Sequence, residues 1–135
     1  MERAYVLFMT GGLYFLVPLE QVVSVESLAT ARKIEIPVYD LGQACHLSEK
    51  PVEIPYILVL SPDEEKMGVA VEQVEEVRKI CDTELYKLEA PAMGKYNYYL
   101  DSVAALEGLN PPLAYLLDTR CLLEKLAGGS EAILE

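Results

Sequence analysis

The hydrophobic pattern along the chain consists of short apolar runs cut by glycine, proline and charge. Residues 4–9 form a run rich in Tyr, Val and Phe, Thr10-Gly11-Gly12 interrupts it, and residues 13–17 resume it before Pro18. Two adjacent glycines supply the positive-φ positions of a tight turn, so this stretch predicts a β-hairpin. Residues 56–60 and 67–71 repeat the arrangement around Ser61-Pro62-Asp63-Glu64-Glu65-Lys66, a turn too charged to be buried, and predict a second hairpin.

The two hairpins are alike beyond their runs. YVLFM, a turn, LYFLVP and LEQVVSV stand against YILVL, a turn, MGVAV and EQVEEV. Tyr5 matches Tyr56, and Glu20-Gln21-Val22 matches Glu72-Gln73-Val74, at an offset of about fifty residues. The pattern reads as two related β units in tandem, although the restricted composition of hairpins also produces chance likeness.

A further echo closes each half. Ile36-Pro37-Val38-Tyr39-Asp40-Leu41 reads as a short strand ending in Asp, followed by a brief helical pattern to Leu47, and Leu113-Ala114-Tyr115-Leu116-Leu117-Asp118 is its second copy. Asp118 is placed to accept the free amides of a helix running from Thr119 to about Ala127, with Leu122, Leu123 and Leu126 on one face and Gly128-Gly129 as its stop. Asp40 caps a weaker turn, because Gly42 is a poor helix former.

Residues 72–80 carry a mixed signal. Val71, Val74, Val77 and Ile80 recur every three positions, which by periodicity alone favours a helix. The equivalent Val22, Val23 and Val25 are β-branched and favour a strand with an irregularity, and both segments are read as strands. Residues 81–95 read as a polar connection, 98–106 as a strand, 107–112 as a turn and 130–135 as a frayed tail. Between Val25 and Ile36 only residues 26–35 remain, so the first unit is the shorter.

Composition narrows the class. A chain of 135 residues with 52% hydrophobic and 24% charged positions predicts one folded domain, here residues 1–127 with a tail at 128–135 and two subunits of structure dividing near 50–55. Twenty-two acidic residues against eleven Lys and Arg give a net charge of -11, which argues against a general grip on nucleic-acid phosphates or anionic lipid. Cys45, Cys81 and Cys121 show neither CxxC spacing nor a secretory signal ahead of them, and are read as reduced thiols of a cytoplasmic protein. The longest uncharged apolar stretch, residues 13–19, is far short of the ~20 residues that a membrane span needs.

Candidate chemistry is sparse. His46 is the single histidine and neighbours Cys45, but adjacent residues of a short helix point apart and no further ligands converge on them in sequence. Asp63-Glu64-Glu65 and Glu72, Glu75, Glu76 match no calcium loop and read as a solvated turn and strand edge. With no Walker loop, GxGxxG or GxSxG, neither an enzyme nor a bound cofactor or metal is expected. A small-molecule-binding or enzymatic barrel, with Cys45, His46, Tyr96, Tyr98 and Tyr99 lining a pocket, stands as a separate class of reading.

Short strands in two copies, each closed by strand, Asp and short helix, describe an all-β pair of small SH3-like barrels in tandem with a C-terminal helix. In YVLFMTGGLYFLVPLEQVVSV, RKIEIPVYDL, YILVL with MGVAVEQVEEV, and YLLDTRCLLEKL, taken in order, the chain resembles the CheW-like domain, an adaptor family of bacterial chemotaxis. The resemblance implies a non-catalytic scaffold whose partners are a methyl-accepting chemoreceptor's cytoplasmic tip and the regulatory domain of a CheA-type histidine kinase. It places a receptor-contacting valine at Val22, although by composition alone core is the better reading for that position. Arg32 stands where the family carries the Arg of an Arg-Gly pair, with Lys33 in place of the glycine. Val22, Arg32 and Asp40 are thus the receptor-side and turn-region candidates, and Glu72, Val74 and Val77 the candidates for a kinase-side edge. The chain departs from the family before Arg32, where a longer connection and a Gly-containing strand are usual. Either the first barrel lacks a strand or it binds its partners differently. A divergent CheW-like module serving another signalling complex, without chemoreceptor binding, is the alternative.

Overall fold

The computed structural model describes residues 1–62, 64–88 and 99–129. Among the described residues, ten strands form two sheets. Strands β1 (Glu2–Thr10) and β2 (Leu13–Pro18) are joined by the two-residue turn at Gly11 and Gly12, whose φ values of 61° and 80° are the left-handed geometry the sequence called for. After a single 3-10 turn at Leu19–Gln21 come β3 (Val22–Ser27), helix α1 (Leu28–Ile34), β4 (Val38–Asp40) and the short helix α2 (Leu41–Ala44). The second hairpin is β5 (Tyr56–Leu60) with β6 (Met67–Val71), and β7 (Gln73–Cys81) follows almost directly. Strands β8 (Leu85–Lys87), β9 (Leu100–Ala105) and β10 (Leu113–Leu117) lead into helix α3 (Thr119–Gly129).

The six-stranded sheet has the order β7-β1-β2-β10-β9-β8 and the four-stranded sheet the order β3-β5-β6-β4. Each hairpin therefore sits in its own sheet, as the internal likeness implied. The closing strands are exchanged, however. Strand β4 runs parallel to β6, in the second hairpin, and β10 runs parallel to β2, in the first. The expectation that each half is closed by its own strand is corrected here: a parallel partner cannot follow its neighbour through a tight turn, so each closing strand is drawn from a distant part of the chain.

Three apolar clusters explain the patterning. Tyr5, Leu7, Leu16, Ile80, Ala104, Ala114 and Leu116 fill the interior of the six-stranded sheet. Ala31, Ile36, Val38, Ile57, Val59 and Ala70, with Leu28 against them, fill that of the four-stranded sheet. The largest cluster lies between the sheets, where Val6, Phe8, Phe15 and Val17 meet Leu58, Leu60, Met67 and Val69, with Leu122 and Leu126 of α3 alongside. Successive residues of β1 and of β5 alternate between a sheet interior and this seam, so both faces are buried and the strands read as unbroken apolar runs.

Two segments differ from the sequence reading. The residues before Arg32 form helix α1, with Ser27 Oγ accepting the Thr30 amide at 3.2 Å as its N-cap. This helix joins β3 and β4, the two edges of the four-stranded sheet, and drives Leu28 and Ala31 into its interior, covering by packing what a further strand would cover by pairing. The polar connection after Cys81 contains the three-residue edge strand β8.

Strand β7 is borne out as a strand, and a bulge explains its misleading spacing. Val77 pairs with Val6 and Val74 with Phe8, the register shifting between them, so two valines three apart lie on one face. Ile80 lies on the other face with Tyr5 and Leu7. Both Asp caps form as read. Asp118 Oδ1 accepts the amides of Arg120 and Cys121, each at 3.1 Å, and Asp40 Oδ1 accepts that of Gln43 at 3.1 Å.

Candidate partner-binding surface

The six candidate residues fall in separate places. Val22 is half-buried, pairs with Leu60 and packs on the seam cluster. Its neighbours Val23 and Val25 are the exposed valines of β3, at 49% and 44%. A bulge at Val22/Ser24 brings Val22 and Val25 onto the same face, toward Leu60 and Leu58, which strict alternation would have denied. Tyr56, beside Ser27 on the adjoining strand, is half-exposed and extends this apolar strip.

Arg32 is exposed on the last turn of α1 rather than beside a β-turn, with Lys33 next to it. Neither forms an ion pair among the described residues, whereas Arg3 pairs with Glu20 and Arg78 with Glu76. Asp40 is only 4% exposed, and its second carboxylate oxygen takes the Val52 amide at 2.9 Å. Its carboxylate is committed to holding α2 and the following loop.

Just before β7, an edge strand of the six-stranded sheet, Glu72 is exposed and accepts the Gly11 amide at 3.0 Å, fastening the first hairpin turn. Val74 is half-buried in the seam and Val77 is 53% exposed on β7. The two edges differ in kind. Strand β7 flanks Val77 with exposed Glu75, Glu76 and Lys79, charges that oppose unplanned strand pairing, while β3 shows solvent two valines.

The side chains weighed for chemistry do not assemble. Among the described residues no three His, Cys, Asp or Glu side chains come close enough to hold a metal ion. Cys45 is buried and hydrogen-bonds Tyr99; desolvation raises both groups above their usual values, the partner's hydrogen bond easing the thiol and further raising the phenol. His46 is exposed and lines a shallow depression with Ser48 and Glu49, apart from that pair. Tyr99 does line an apolar groove, with Phe15 and Tyr115 among its walls, whereas Tyr96 and Tyr98 lie outside the described residues.

Two interlocked small-barrel units, two strand-Asp-helix closures and no assembled catalytic set among the described residues leave the family to be decided by comparison. A model of the CheW-like domain matches residues 24–127. The chain belongs to the CheW-like family. Among solved structures, the scaffolding protein TtCheW from Thermoanaerobacter tengcongensis is similar, with a TM-score of 0.72 at 14% identity over 100% of this chain and 95% of that one. No curated protein matches the chain significantly. In CheW-like terms, the region where the family usually runs a longer connection is here the helix that carries Arg32.

Proposed function

We propose that this CheW-like chain is a non-catalytic cytoplasmic adaptor that couples a methyl-accepting chemoreceptor to a CheA-type histidine kinase. The observation that carries the reading is the CheW-like match across 104 of the chain's residues, from 24 to 127. The receptor tip, a bundle of helices, would meet the apolar strip of Val22, Val23 and Val25 with Arg32 at its side. Arg on a helix end offers a planar fork to a partner carboxylate, and no internal acid competes for it among the described residues. The kinase regulatory domain would meet the β7 edge at Glu72, Val74 and Val77. Asp40 contributes by fixing α2 rather than by contact. Receptor state then alters kinase activity through the geometry of assembly.

Helix α1 favours the second reading to the extent that it rebuilds the receptor-side region, since a module with a changed surface has changed partners. Co-purification of the tagged chain with a kinase regulatory domain and a receptor cytoplasmic fragment from the same organism separates the two. Binding to both, weakened by Arg32→Glu and Val25→Lys without loss of folding, is the adaptor result. Binding to neither removes the proposal in favour of a module of another complex.

A further inference from the structure

Thr10 closes β1 with its side chain fully buried and its hydroxyl oxygen without a hydrogen-bond partner. Asp40 closes β4, in the other sheet, and is likewise buried. The two border one spot. A β-carbon placed on Gly42 would stand 3.5 Å from Asp40 Oδ1, 3.5 Å from Thr10 Oγ1 and 3.6 Å from Ser48 Cβ. Two oxygens from different sheets thus line the space over a residue that has no side chain.

A buried hydroxyl is both donor and acceptor, and leaving it unpaired is costly. Asp40 Oδ1 already takes the Gln43 amide, and a carboxylate oxygen accepts more than one hydrogen bond. A water needs a polar site with at least two partners, and these oxygens supply them.

We infer that the space over Gly42 is a site for one structural water, which accepts from the Thr10 hydroxyl and donates to Asp40 Oδ1. The water links β1 to β4 and so ties the two sheets together at the end of their shared seam. Glycine at position 42 serves this site rather than the backbone, for its φ is not positive as those of Gly11, Gly12 and Gly108 are. Nor would a methyl group clash there, since its contacts are ordinary van der Waals distances.

These facts give the test opposite signs. Alanine is the better helix former, so without a water Gly42→Ala in α2 raises Tm. With the water displaced, Thr10 and Asp40 lose their bridge and Tm falls by several degrees. Thr10→Val, which removes the hydroxyl, then recovers part of the fall in the double variant. An unchanged or raised Tm for Gly42→Ala, or additive changes in the double variant, overturns the inference. A high-resolution crystal structure of the full chain gives an independent reading: density for a water within hydrogen-bond distance of both oxygens supports it, and a Thr10 hydroxyl bonded directly to a protein atom overturns it.

Discussion

Thr119, the first residue of α3, donates its hydroxyl hydrogen bond to the side chain of Gln21, 98 residues earlier. The Gln21 carbonyl in turn accepts the Ser61 amide at 2.9 Å. Gln21 thus joins the turn after β2, the turn after β5 and the start of the C-terminal helix. Thr119→Val keeps the shape and removes the donor, and is expected to cost about 1 kcal/mol in urea unfolding. Loss of the Gln21 partner in Gln21→Leu adds little once Thr119 is Val, so a double-mutant cycle shows coupling.

The two Asp caps are predicted to differ in weight. Asp118→Ala removes an exposed-end cap and costs about 1 kcal/mol. Asp40→Ala strips the amides of both Gln43 and Val52 in a buried setting and costs more, about 2 kcal/mol. Chemical denaturation of the two variants side by side checks the order.

If α1 closes the four-stranded unit by packing, enlarging its buried contact must hurt. Ala31 is fully buried against β4 and β5 residues, and Ala31→Leu is expected to destabilise by about 1–3 kcal/mol through overpacking. Ala29→Leu, on the exposed side of the same helix, is expected to leave the urea midpoint nearly unchanged.

Stability is predicted to fall at alkaline pH. Cys45 and Tyr99 are raised by burial above 9.0 and 10.0, the values of the unfolded chain. Their contribution is complete below about pH 9 and is lost as pH rises, because the unfolded chain then releases protons that the folded chain retains. Each fully titrating group contributes a slope of up to about 1.4 kcal/mol per pH unit. Tyr99→Phe is expected to flatten the upper part of that decline, measured as urea midpoints across about pH 8 to about pH 11.

The hairpins, the Asp caps and α3 were legible because each depends on neighbouring residues: paired glycines, a carboxylate before a helix, leucines at helical spacing. The exchange of closing strands was not, since β4 and β10 carry the same local signal and only tertiary packing decides which hairpin each joins. Helix α1 had a signal, Ser27 ahead of Ala29 and Ala31, but seven residues give too little periodicity to outweigh the strand before them. The candidate surface turned on one bulge. It put Val22 and Val25 on one face, with Val22 half-buried against the seam cluster while Val23 and Val25 stay exposed, an arrangement that strict alternation along the strand does not give.

The exchanged strands also bear on how the chain is made. The four-stranded sheet comes entirely from residues 22–71 and has all its strands once that segment has left the ribosome. The hairpin of β1 and β2 is synthesised before it, yet its neighbours on either side, β7 and β10, end only at Cys81 and Leu117. The β1–β2 hairpin is thus made before both of its neighbours and is fully paired only once β10 is complete. Until then the hairpin carries open strand edges, the kind of surface on which chaperones act and misplaced pairing begins.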